Sequence, residues 1–223
     1  MPQTEAAVAL VRSLPRALPR RVPKAWQSQK RAIDVAVAAA GLVLSAPLLA
    51  LAAAAITIVS PGSPVFAQER VGKDGRRFKL YKLRTMVDGA HLQHSALLEL
   101  NEVDGPAFKI RNDPRLHPLG RLLRRTSIDE LPNLVNVLRG EMSIVGPRPP
   151  LPSEVEHYDE RAYRRLSVKP GVTCLWQISG RSKLSFDEWM RLDNLYIDSW
   201  SPLGDLAIIA RTIPAVVRGE GAH

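Results

Sequence analysis

The chain has 223 residues, a net charge of +9 and a pI near 10.1, enough length for one domain with a substantial core, or a small domain plus appendages. The charge points to anionic partners such as phosphorylated substrates, anionic lipid or nucleic acid. Aromatics at 5% count against single-strand nucleic-acid stacking, and one cysteine, Cys174, excludes an intrachain disulfide and a cysteine metal site.

Residues 1–29 form a basic arm with Arg12, Arg16, Arg20, Arg21 and Lys24 but no persistent period. Such an arm is expected to be poorly ordered and to lie on anionic lipid head groups. Residues 30–60 hold a nearly unbroken apolar run from Ala32 to Val59 in which Asp34 is the only formal charge. As a helix the run is long enough to cross a bilayer core of roughly 30 Å. Ser45-Ala46-Pro47 sits at its midpoint, and a proline there removes a helix hydrogen bond and predicts a sharp kink at Ser45 and Pro47. Lys30 and Arg31 precede the run, and Arg70, Lys73, Arg76 and Arg77 follow it. Basic flanks favour the cytoplasmic side, so both ends ask for the same side. A kinked helix that enters one leaflet and returns satisfies both ends. A plain span does not, and a soluble core helix is rarely apolar all round for so long.

Residues 61–223 are read as the domain at the cytoplasmic membrane face. Ser60-Pro61-Gly62-Ser63-Pro64 closes the apolar segment. Two short strands follow around a turn at Lys73-Asp74-Gly75. Alternation in the second strand puts Lys82 and Arg84 on one face, away from Lys79, where either can meet a phosphate. Helical spacing returns around His91 to Leu100. His91, His94 and His117 lack metal-ligand spacing and read as surface residues. A short basic helix is expected over 119–125.

The densest chemistry lies between Arg124 and Pro149, where arginines lead into the adjacent carboxylates Asp129 and Glu130 and a Gly-Pro turn carries Arg148. Arginine forks match phosphate oxygens, and a carboxylate pair can hold a hard cation or bond to phosphorus. The same letters also spell a capping box, Ser127-x-x-Glu130, ahead of a helix with Pro132 in its first turn. The two readings are compatible, since a helix N-terminus itself binds phosphate. Beyond, 153–167 reads as an exposed charged helix, and Val172 to Ser182 as a strand ending at Gly180-Arg181-Ser182. An aromatic segment with Phe186, Trp189, Tyr196 and Trp200 precedes an amphipathic stretch over 203–217, suited equally to a membrane surface or to core packing. There is no repeat, Walker loop or dinucleotide fingerprint. The fold class is α+β, mostly helical, with a small β-hairpin and interfacial amphipathic helices.

The ordered set of an apolar segment with a central proline, FKLYKLRTM, RRTSIDELPNLVNVLRGEMSIVGPRP, KPGVTCLWQISGRS and LDNLYIDSWS resembles the bacterial sugar transferases, also called monotopic phosphoglycosyl transferases. The resemblance runs from about Lys30 to Arg218 and suggests the family's short form. It implies transfer of a sugar 1-phosphate, in this case of a hexose, from a UDP-sugar to polyprenyl (undecaprenyl) phosphate, with release of UMP, as the first membrane step of exopolysaccharide synthesis. It implies Asp129 as nucleophile, forming a phosphosugar-aspartyl intermediate, Glu130 as its partner acid, and Mg²⁺ held by both. Lys82, Arg124, Arg148 and Arg181 match the phosphate-binding positions. The resemblance further implies membrane lipid as a partner and no nucleic acid, with room for a homodimer. The implied location is the cytoplasmic face of the bacterial inner membrane. Cys174 stands where the family often has glycine. A basic membrane scaffold without catalysis, and a pyrophosphatase without a lipid acceptor, are the competing readings. The scaffold leaves the acid pair among the arginines unexplained.

Overall fold

One helix, α1, runs without interruption from Lys24 to Val59 and includes Pro47. The computed structural model describes residues 24–93, 95–108, 110–180 and 184–218. The helix begins at Lys24 rather than at residue 30, and residues 1–23 of the expected arm lie outside the described residues. Its inward stripe is Asp34, Ala38, Gly41, Ser45, Leu49, Ala52 and Ile56, a spacing of three and four that keeps one face on the protein. The other faces stay bare, with Leu44 and Ile58 each 82% exposed beside Val43 and Leu51. By length and composition this helix can cross a membrane.

The stripe is fixed by polar anchors near its start. Asp34 is buried, and its carboxylate accepts from Ser143 Oγ at 2.9 Å and from the Ile144 amide at 2.8 Å. Lys30 Nζ donates to Asp205 Oδ2 at 2.6 Å and to the Val145 carbonyl at 3.0 Å. Arg31 donates to the carbonyls of Val137 at 2.6 Å and Leu138 at 2.8 Å. These two basic residues are therefore bound to the protein and not left to lipid head groups.

Strands β1 (Val65–Val71) and β2 (Arg77–Leu83) form the expected antiparallel hairpin, with Val65 opposite Leu83 and Val71 opposite Arg77. Its connection is a 3-10 turn at Lys73–Gly75, where Asp74 takes a left-handed φ of 57°. The outer edge of β2 is covered by a side chain in place of a strand. Asn136 Nδ2 donates to the Lys79 carbonyl at 2.7 Å, and its Oδ1 accepts from the Tyr81 amide at 3.3 Å. Paired this way, the edge presents fewer free groups to another chain.

Residues Ala90–Gln93 and Ser95–Leu100 are 3-10 turns. Helix α2 (Gly120–Arg125) and helix α3 (Asn133–Arg139) flank the acid pair. The carbonyls that Arg31 meets are the last ones of α3, so a cation sits at that helix's negative end. Strands β3 (Ser143–Val145) and β4 (Gly171–Thr173) make a short parallel pair, which the sequence pattern did not anticipate. The backbones touch beside it: a Cβ on Gly171 would lie 2.1 Å from the Gly146 amide nitrogen. This contact demands glycine in the Gly-Pro-Arg and Pro-Gly turns.

Two sequence expectations are corrected here. The expected strand over 172–182 stops at Thr173, because its partner β3 is only three residues long, and a 3-10 turn at Trp176–Ile178 follows. The expected exposed helix over 153–167 is broken into α4 (Pro152–Val155), α5 (Glu160–Tyr163) and a 3-10 turn at Arg164–Ser167, and it buries Glu154 and Arg165. Helix α6 (Phe186–Ser199) is capped by Ser185, whose hydroxyl accepts from the Glu188 amide, and α7 (Pro202–Arg218) follows. The main core joins Phe78, Leu80, Leu134, Val137, Met142, Val145, Leu192 and Tyr196. A second cluster joins Ile56 of α1 to Leu83 and Leu123, with Leu49, Ala52 and Ile128 against it. The architecture is α+β and mostly helical, as the sequence indicates.

Candidate active site

The acid pair lies in a single 3-10 turn, Ile128–Glu130, between α2 and α3. Ser127, just before it, has a left-handed φ of 55°, a conformation that costs a non-glycine residue energy and recurs at functional sites. The capping box expected from Ser127 and Glu130 is not formed: the Ser127 side chain caps nothing. Glu130 instead meets Lys82, whose Nζ donates to Oε1 at 2.7 Å. Ile128 of this turn packs on the second hydrophobic cluster, which also takes in Ile56 near the end of α1.

Asp129 is buried, while Glu130 and Lys82 are half-buried. The Asp129 carboxyl is pushed up to about 6, chiefly by burial. Lys82 and Arg124 hold it down, and Glu130 adds to the rise. A buried acid beside a second acid therefore keeps its charge only with help from two cations. Lys82 owes its position to strand parity, since Phe78, Leu80 and Lys82 share a face of β2 and the row runs from the core into the site.

Arg124 ends α2, and its Nε donates to Thr85 Oγ1 at 3.1 Å. Its guanidinium pKa is lowered by burial and raised by Asp129 and then Asp113. Arg148 follows β3 and lies over the Trp189 ring at 5.6 Å, with Nη1 3.4 Å from Glu154 Oε1. Behind it, Arg165 and Asp193 form a fully buried pair at 2.8 Å, and Arg165 donates to the Arg148 carbonyl at 3.1 Å. Arg70, buried on β1, donates to the Pro149 carbonyl at 3.0 Å. Its pKa is lowered by burial and then by Arg148, and raised by Glu154 and Glu130. Arg70 thus links the surroundings of Arg148 electrostatically to those of the acid pair.

The structure brings Lys82, Arg124, Asp129 and Glu130 together and places Arg148 on an adjoining cluster. Arg181 lies outside the described residues. Arg84 is corrected: it shares the parity of Lys82, but both its terminal amines are spent on backbone, Nη1 on Pro61 O at 3.0 Å and Nη2 on Ser60 O. His117 is corrected as well. It is buried, and its Nε2 meets the Arg84 carbonyl at 2.7 Å. His94 lies outside the described residues. The sequence reading missed Thr85 and Arg70, whose only signal is their place beside or opposite the strand that bears Lys82.

No cluster of three or more His, Cys, Asp or Glu side chains suits a metal among the described residues. The two acids still fit Mg²⁺, which is often bound by one or two carboxylates together with substrate phosphates and water. The raised Asp129 pKa, caused in part by Glu130, is the repulsion that such a cation relieves.

The family model for bacterial sugar transferases matches residues 25–219. Galactosyl transferase CpsE of Streptococcus agalactiae is 44% identical over 194 residues, which cover 86% of this chain and 43% of that protein. The exopolysaccharide production protein ExoY of Rhizobium meliloti is 40% identical over 87% of this chain and 88% of its own length. A UDP-glucose:undecaprenyl-phosphate glucose-1-phosphate transferase of Caulobacter vibrioides is 42% identical over 87% of this chain and 72% of its own.

Proposed function

The chain belongs to the bacterial sugar transferase family, and from that premise we propose that it transfers a hexose 1-phosphate from a UDP-hexose to a polyprenyl phosphate at the membrane face. The observation that carries the proposal is the acid pair with its two cations, in a turn whose Ile128 shares a hydrophobic cluster with Ile56 of the apolar helix α1. A site for a lipid-borne phosphate needs its chemistry at the apolar boundary, and the cluster shared with α1 supports that placement for this turn. The relatives named for undecaprenyl-phosphate and exopolysaccharide support the same direction.

In this reading an Asp129 carboxylate oxygen attacks the phosphorus that bears the sugar. The bond between that phosphorus and the bridging oxygen breaks, and UMP leaves with the electron pair. In the second half-reaction a phosphate oxygen of the polyprenyl phosphate attacks the same phosphorus, and Asp129 leaves as carboxylate. The product is a polyprenyl diphosphate sugar. Each half uses one partner, so a soluble donor and a lipid acceptor need not meet. Lys82, through its contact with Glu130, and Arg124 offset the repulsion between carboxylate and diphosphate. Mg²⁺ on Asp129 and Glu130 would supply further positive charge to the phosphate oxygens. Arg148 and Arg181 are assigned to the donor's phosphates.

The proposed topology rests on α1. Lys30 near its start and Ser60 just past its end are both hydrogen-bonded to the same folded body, through Asp205 and Arg84. A helix that crossed the bilayer would put these contacts on opposite sides. We therefore favour a re-entrant helix bent near Ser45 and Pro47, with the folded body on the cytoplasmic face of the inner membrane.

The test is multiple-turnover UMP release from a panel of UDP-hexoses, with and without undecaprenyl phosphate, for wild type and Asp129→Asn. Release that requires both the lipid and Asp129 is the expected result. Equal release by the variant, or steady release without lipid, would overturn the assignment.

A further inference from the structure

Four cations on the segments that lead into the site, Lys82, Arg84, Arg115 and Arg124, differ in how much of their hydrogen-bonding capacity the protein uses. Arg84 is spent on backbone carbonyls. Arg115 is locked to Asp113, its Nε and Nη2 reaching the two carboxylate oxygens at 2.8 and 2.6 Å. Lys82 is paired with Glu130. Arg124 is the exception. Its Nε is taken by Thr85 Oγ1 at 3.1 Å, and among the described residues no hydrogen bond engages its two terminal amines. A guanidinium presents two forked edges, and occupation of Nε closes the side-on one. The end-on pair of amines remains, which is a bidentate match for phosphate.

Thr85 is itself firmly fixed. It is buried, its carbonyl accepts from the His117 amide at 3.2 Å, and a Cβ on Gly120 would lie 2.1 Å from that carbonyl oxygen. The strand end that delivers Lys82 is thereby clamped to the start of α2, whose last turn delivers Arg124. A hydroxyl at this point adds little to the core and is buried beside charge, so its value lies in the atom it meets.

We propose that Thr85 is a positioning residue. By accepting from Arg124 Nε, its hydroxyl sets the plane of the guanidinium so that the two terminal amines grip the donor's diphosphate beside Asp129. This rests on the transferase reading for the identity of the donor but not for the existence of the phosphate grip.

The experiment measures binding of inorganic pyrophosphate by calorimetry to detergent-solubilised full-length protein. It compares wild type, Thr85→Val, Thr85→Ser, Arg124→Met and the double variant Thr85→Val with Arg124→Met, with the melting temperature of each recorded. Valine keeps the shape and removes the acceptor, whereas serine restores it. Thr85→Val is expected to weaken binding about tenfold, the scale of a lost hydrogen bond to a charged group. Serine should recover most of that, and in the Arg124→Met background the valine change should have no further effect. A general loss of packing would act equally in both backgrounds, and that result overturns the proposal. Unchanged binding in Thr85→Val overturns it too. Failure of the wild type to bind pyrophosphate overturns both the grip and Thr85's part in it. Binding with the expected pattern, but without sugar-phosphate transfer to lipid, removes the transferase reading and leaves Thr85's role standing.

Discussion

Asp129 is an acid that the fold makes expensive to ionise, and the expense is traceable to named neighbours. Its pKa is raised to about 6, the balance of burial, which raises it, Lys82, which lowers it, Glu130, which raises it, and Arg124, which lowers it. A nucleophilic carboxylate must be ionised, so transfer should fall as pH drops through about 6. Lys82→Met removes the largest opposing cation and should move that limb to higher pH. The linkage sign follows from the raised value. The folded state holds this proton more tightly than the unfolded chain does, so the associated stability is fully present below the ordinary aspartate value and is lost as pH rises through about 6. At pH 7.5 the ionised side chain is therefore a burden on the fold, and Asp129→Asn should stabilise the protein while abolishing turnover. The gain should be on the order of 1–3 kcal/mol at most and should vanish below about pH 4. Thermal unfolding of both proteins across pH 4 to 8 checks it. A variant less stable than wild type at pH 7.5 would mean that Lys82 and Arg124 more than offset burial.

Among the elements, α1 shows most plainly what a one-dimensional reading can carry. Its apolar length, its proline and its lone acid are visible in the sequence, but the acid's purpose is not. Asp34 meets Ser143 and Ile144 more than a hundred residues away, and no local pattern encodes such a partner. Asp34→Ala strips the acceptor from two buried donors. Each buried group left unpaired costs about 1–3 kcal/mol, so the variant should lose a comparable or larger amount. Chemical denaturation in detergent measures the loss, and Asp34→Asn should retain part of the stability because its carbonyl oxygen still accepts. The same distinction holds at the site. The hairpin, the short basic helix α2 and the acid pair amid arginines were legible because each is local. The capping box was misread because the Glu130 carboxylate has a better partner in Lys82, 48 residues earlier. Arg84 was misjudged for a similar reason: its strand parity is right, but the turn at Ser60 and Pro61 folds back to claim it. Local spacing reports which face a residue takes and leaves open what waits on that face.

At the scale of the whole molecule, the proposed re-entrant topology rests on both ends of a very apolar helix being tied to one body. The start is tied through Lys30, which joins Asp205, the Val145 carbonyl and Tyr196. The end is tied through Ser60 and Pro61, which accept from Arg84. Between them, Val43, Leu44 and Leu51 stand free, and beyond Asp34 the inward stripe meets the body through small or apolar residues such as Gly41 against Leu134. Moving either end across a bilayer would strand Lys30 or Arg84 without its partners, at a cost of several kcal/mol for each charge left buried and unpaired. Immersing the free middle in lipid instead gains about 25 cal/mol for each Å² of apolar surface removed from water. The two terms point the same way, toward a helix that dips in and returns. Single cysteines placed at Ser28 and Ser63, with Cys174 replaced by serine, should therefore react from the same side of sealed inverted membrane vesicles. Pro47→Leu should preserve that pattern if the anchors at Lys30 and Arg84 set the topology, and should send one label to the opposite side if the proline bend does. In the second case the anchored end must also detach, so Pro47→Leu would lose stability along with its topology, whereas the first case leaves stability near wild type.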